Sequence, residues 1–121
     1  MIRRKGSDMS KMWKLHQIVL TKDVVDLINK EGFKAHVKGV AYTEALMKGD
    51  PKIGLMHDCY DHVANIVADD LEHCFEVGNI GPEDRIERLN KMHSISVGDI
   101  LEDDTGKKFV CAKFGWEEVA A

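Results

Sequence analysis

Between Met92 and Ile100 the chain carries the polar string most suggestive of chemistry. Ser94, Ser96 and Asp99 place short polar groups around Gly98, a pattern that can aim backbone N–H groups at an anion or a peptide. The same string is also what a simple turn needs. Ser96 and Asp99 then bond the local backbone, and Gly98 supplies a positive φ. A second group is His57, Asp58, Cys59 and His62, followed by His73 and Cys74. Cys and His are zinc ligands, but a structural site needs four of them converging. Cys59-x-x-His62 has compatible spacing. His73 and Cys74 are adjacent and diverge by about 100° on a helix. In a strand Cys59 points with Asp61, away from His62. No metal or other cofactor is therefore expected, and Cys59 and His62 are the only metal candidates retained. Nucleophilic catalysis would need a low-pKa thiol beside a histidine. Cys74 and Cys111 instead fall at inward positions of a helix and a strand. The acidic clusters Asp69-Asp70-Glu72, Glu83-Asp84-Glu87 and Glu102-Asp103-Asp104 each have a local use, opening a helix or filling a turn.

These residues need elements to hold them. Lys14 to Leu20 reads as a strand. Thr21 then caps a helix with Val24, Val25 and Ile28 on its apolar stripe, stopped at Gly32. Phe33 to Val40 is expected as a short strand. Tyr42 to Lys48 is expected as a helix capped at Thr43, ended by Gly49 and Asp50-Pro51. Tyr60 to Ala68 alternates as a strand should. A helix follows from Asp69, with Glu72 in capping-box position, Leu71, Cys74 and Phe75 inward, and Gly78 as its end. Pro82 suits the first turn of another helix through Ile86, Leu89 and Met92. Ser94 to Val97 alternates like a strand, Gly98-Asp99 turns, and Ile100 begins a hairpin that turns at Asp103 to Gly106 and returns over Lys108 to Lys113. Gly115-Trp116 bends again into a last short strand over Glu117 to Val119.

The 121 residues suit a single domain, and 44% hydrophobic with 31% charged residues is ordinary globular composition. A net charge of -4 gives no global field for nucleic acid, which needs clustered Lys and Arg. The one basic cluster, Arg3-Arg4-Lys5, falls in what is expected to be a flexible tail over residues 1–12, ahead of a domain over residues 13–121. Three scattered cysteines do not form a disulfide framework. No apolar run approaches the roughly 20 residues of a membrane span, and the first residues lack a signal-peptide core. A cytoplasmic location is expected. No phosphate-binding loop, dinucleotide glycine fingerprint or nucleophile elbow is present.

Met92-His93-Ser94-Ile95-Ser96-Val97-Gly98-Asp99-Ile100, then Phe109-Val110 and Phe114-Gly115-Trp116, resembles the C-terminal signature of the YodL-like family. Tyr60-Asp61-His62-Val63-Ala64 with Asp69 to Asn79 is similar to small phage proteins sharing that ending. The resemblance covers the chain from Tyr60 onward. It implies a phage or mobile-element origin and no particular activity.

The expected fold is α+β, a mixed or mainly antiparallel sheet of four to six strands with two to four helices packed on one side. The expected function is a non-enzymatic accessory protein that binds a host or phage protein. Ser94, Ser96, Gly98, Asp99 and Trp116 are the candidate binding residues. Two alternatives stand beside it. One is a nucleic-acid-binding module, since Val97-Gly98-Asp99 before a hairpin resembles PUA-type small β-barrels. The other is an enzyme built on His57, Asp58, Cys59 and His62.

Overall fold

The structure, a computed structural model, describes residues 10–119. Its elements in chain order are β1 (Lys11–Ile18), α1 (Lys22–Glu31), α2 (Val37–Lys48), α3 (Lys52–Met56), β2 (Tyr60–Ala68), α4 (Leu71–Asn79), β3 (Ile86–Arg88), β4 (Ile100–Glu102), β5 (Lys108–Ala112) and β6 (Gly115–Glu118). The six strands form one antiparallel sheet in the order β3-β2-β1-β4-β5-β6. This is the expected α+β class, with strand and helix numbers at the upper end of the expected range.

Side chains alternate across the sheet. Leu15 pairs with both Ala64 and Leu101, and Leu101 with Phe109, so these four share one face. Trp13 and Ile66, also partners, extend that face, and α4 covers it with Cys74 and Val77. Ile18 and its partner Tyr60 project from the other pleat. There they join Ala41, Ala45 and Cys59 in a second cluster built by α2 and α3. The helices thus divide between the two faces and do not pack on one side as expected.

Several boundaries differ from expectation. β1 begins at Lys11, not Lys14, so the expected tail overlaps it; residues 1–9 lie outside the described residues. Trp13 explains the shift. Its indole Nε1 donates to the Ala68 carbonyl at 3.0 Å, the Lys11 amine lies over its ring, and Ser10 is buried with its hydroxyl on Asp69 at 2.8 Å. These contacts lock the start of the strand.

Residues expected as a strand over Phe33 to Val40 form a 3-10 turn and the first turn of α2. His36, not Thr43, caps α2, accepting from the Lys38 N–H at 3.0 Å. The helix can start this early because Gly39 faces the Phe33 carbonyl and Ile28, where a Cβ would collide with that carbonyl. Asp70 rather than Asp69 caps α4, accepting from His73 N–H at 2.8 Å. α4 runs through Gly78 rather than ending there, because Gly78 is the point where Ile95 packs against the helix. Phe75, expected inward, is 38% exposed.

The helix expected after Pro82 is a 3-10 turn followed by β3. β2 decides this. Its outer edge is satisfied by β3, with Ile86 opposite Ile66 and Glu87 opposite Asn65. Ser94 to Val97 forms no strand either, because side chains of β1 and α4 take up the backbone groups of His93 and Ile95.

Candidate functional site

Residues 93–97 are held by side chains instead of a partner strand, and Gly98 and Asp99 then bond the Cys111 backbone on β5. Gln17, fully buried on β1, accepts from the His93 N–H at 3.1 Å and donates to the His93 carbonyl at 2.9 Å. Asn79, the last residue of α4, does the same to Ile95, at 2.6 Å and 3.1 Å. Each carboxamide thus grips both polar groups of one backbone residue, as a neighbouring strand would. Asp99 accepts from the Ser96 N–H at 2.9 Å and from Gln17 Nε2 at 3.0 Å. The Tyr60 hydroxyl donates to the Gly98 carbonyl at 2.6 Å. Burial pushes that hydroxyl well above the usual tyrosine range, so it stays a neutral donor.

Asp99 is 5% exposed. Burial raises its pKa from 3.8 to about 6, opposed by the Ser96 N–H, the nearby His93 and Gln17. The folded chain therefore binds this proton more tightly than the unfolded chain. The stability Asp99 contributes is complete below pH 3.8 and lost as pH rises through about 6. At neutral pH the charged form costs on the order of 3 kcal/mol. Asp99→Asn keeps an acceptor for Ser96 without the charge. It should melt higher than the parent at pH 8, with the gap closing between pH 6 and 4. Thermal melts across that range test this; a gap that does not change with pH contradicts it.

The strapped segment forms the wall of a groove. Ile95, Ser96 and Val97 line it on one side, Phe75 on another, and Cys111 and Trp116 on the third, enclosing about 380 Å³. Phe114, at the tip of the β5–β6 hairpin beside it, is 97% exposed. Of the predicted residues, Ser96 and Trp116 meet in this groove. Ser94 lines a separate polar cleft with His93 and Asn79. Gly98 and Asp99 lie buried behind the wall, positioning it rather than facing a ligand.

The other constellations disperse. Cys59 packs with Ile18, Ala41 and Ala45, while the His62 Nε2 donates to Asn65 Oδ1 at 2.7 Å. Among the described residues, no three His, Cys, Asp or Glu side chains are placed to share a metal ion. Burial raises all three thiols, Cys111 to about 11, which disfavours thiolates. Each acidic cluster has a local partner: Asp70 caps α4, Glu83 pairs with Arg88, and Asp103 accepts from the Thr105 and Lys107 N–H groups. Among the described residues, no helix is long and apolar enough to cross a membrane.

Sequence reasoning missed Gln17, Asn79 and Phe75. The signal for Gln17 was its inward position in β1, two residues after Leu15, since a polar side chain there must find buried partners. Phe75 had a weaker signal: it lies one position, about 100°, past Cys74 on a helix that buries only one stripe.

No protein-family model, curated protein or solved structure matches the chain. The groove and the straps behind it therefore carry the functional argument alone.

Proposed function

We propose that this chain is a non-enzymatic protein-binding module, an accessory protein of the phage or mobile-element kind that the YodL-like resemblance implies. Its partner seats in the groove between α4, residues 95–97 and the β5–β6 hairpin. The observation that supports this is that Phe75 and the half-buried Trp116 line one groove, with Phe114 fully exposed at the hairpin tip next to its lining residues Lys113 and Gly115. Large aromatics left uncovered beside a groove are the usual anchors of protein interfaces. Lys113 and Glu72 at the rim supply polar groups to orient a partner.

A displayed library of random linear peptides, selected against the full chain, tests the proposal. Peptides with apolar side chains should be enriched. Phe75→Ser removes a side chain that is 38% exposed, so it should lower the melt modestly without unfolding the chain, and weaken the selected peptides by about thirtyfold, the effect of losing an anchor of about 2 kcal/mol. Failure to enrich any peptide, or affinity unaffected by Phe75→Ser, would overturn it.

A further inference from the structure

β6 is the last strand of the sheet, and its outer edge pairs with no other strand among the described residues. The Val119 N–H donates to the Lys108 carbonyl at 2.8 Å. Hydrogen-bonded and non-bonded pairs alternate along an antiparallel ladder. Glu117 and Val119 therefore turn their backbone groups toward β5, while Trp116 and Glu118 turn theirs outward.

An apolar groove flanks this edge on each face. Trp116 pairs with Cys111 on the face that carries Phe109 and Leu101, and there lies the groove with Phe75. Glu117 pairs with Val110 on the opposite face. There Leu55, Met56, Val110 and Val119 line a second groove of about 500 Å³ that Lys48, Asp50 and Lys52 also border, with Met56 70% exposed. Successive residues of an extended strand point to opposite faces. One strand laid along β6 would fill both grooves at once, whereas a helix would reach only one.

The charges on β6 narrow the occupant. Glu118 pairs with Lys107 at 3.8 Å, while no cation pairs with Glu117 among the described residues. Opposite charges directly across a strand pair stabilise it, and like charges do the reverse. A second copy of β6 centred on Glu117 would set that carboxylate against its own copy.

We propose that the partner binds as a seventh strand along β6: an extended segment of another protein with at least three consecutive apolar residues and a Lys or Arg opposite Glu117. This rests on the protein-binding proposal above and specifies its mode. Main-chain bonds would supply affinity and the two grooves specificity.

The peptide selection against the full chain also tests the mode. Enriched sequences should show consecutive apolar residues beside a basic one. In a selected synthetic peptide, N-methylation of the alternate amides that face β6 should lower affinity at least about tenfold each, the loss of a bond of about 1.4 kcal/mol. Methylation of the intervening amides should have little effect. On the protein, Glu118→Pro removes an outward N–H and keeps those facing β5; it should also weaken binding about tenfold. Glu117→Lys should shift the selected charge from basic to acidic. Should Glu118→Pro not fold, the N-methyl series still decides. A peptide that needs Phe75 but tolerates every N-methyl group leaves the protein-binding proposal standing and overturns strand addition. Concentration-dependent dimerisation abolished by Glu118→Pro makes the occupant a second copy and overturns it too. No enriched peptide at all overturns both proposals.

Discussion

A Gly98→Ala chain is expected not to melt cooperatively. Gly98 has φ +93, a conformation that costs an L-residue about 1–2 kcal/mol. That strain is the smaller effect. A Cβ at this position would lie 2.6 Å from the backbone carbon, carbonyl oxygen and Cβ of Ala45. Ala45 is in the middle of α2 and buried, and it cannot move without shifting the helix. Gly98 is itself fastened, its N–H to the Cys111 carbonyl at 2.8 Å and its carbonyl to Tyr60. Neither side can yield, so the loss should exceed about 4 kcal/mol, a large share of a small domain's stability. Gly106 is the control. It has φ +92 at the β4–β5 turn, with open space around it. Gly106→Ala should cost only the strain, about 1–2 kcal/mol. Circular-dichroism melts of the two variants separate collision from strain. A Gly98→Ala melt that matches Gly106→Ala would show that α2 does not press on this turn.

Gln17→Leu is the second large loss. The substitution keeps the size of the side chain and removes every polar atom from a fully buried site. It would strand the His93 N–H and carbonyl and deprive Asp99 of one donor. Each unsatisfied buried group costs about 1–3 kcal/mol, so a total of about 4 kcal/mol is expected. Denaturant unfolding measures it. Asp99→Asn added to Gln17→Leu should restore more stability at pH 8 than it does in the parent, because the bare carboxylate is then less compensated. Additive effects of the two changes would mean that Gln17 and Asp99 do not act on one another. Hydrogen exchange provides a local check: the His93 amide should lose protection in Gln17→Leu while amides of β2 keep theirs.

The contrast between these two residues shows what is legible in a sequence. Gly98 stands out because glycine beside aspartate, after an alternating run, is a local turn pattern. β2 has the expected limits, Tyr60–Ala68, although a bulge at Val63 breaks its alternation, and α1 starts where Thr21 can accept from the Val24 N–H. Gln17 acts 76 positions away in the chain, and nothing near it in sequence signals that reach. The same is true of β3. Ile86 to Arg88 can be helix or strand by local pattern, and the free edge of β2 decides. At Ser94 to Val97 the alternation is present but the partner strand is not, since two carboxamides take its place. Trp116 and Ser96 are recognisable as candidates from their own neighbourhoods. Their groove also needs Phe75 from α4, which only packing brings to it.

The two carboxamide straps have an evolutionary consequence. Gln17 and Asn79 grip the main chain at His93 and Ile95, and neither uses the side chains of Ser94 or Ser96. The path of the segment is thus set from outside it. Ser94 and Ser96 can be exchanged without loosening the frame, much as letters can be changed on a fixed signboard. A lineage that must follow a changing partner could rewrite the serines of this segment one at a time while Ile95 and the fold beneath it stay the same.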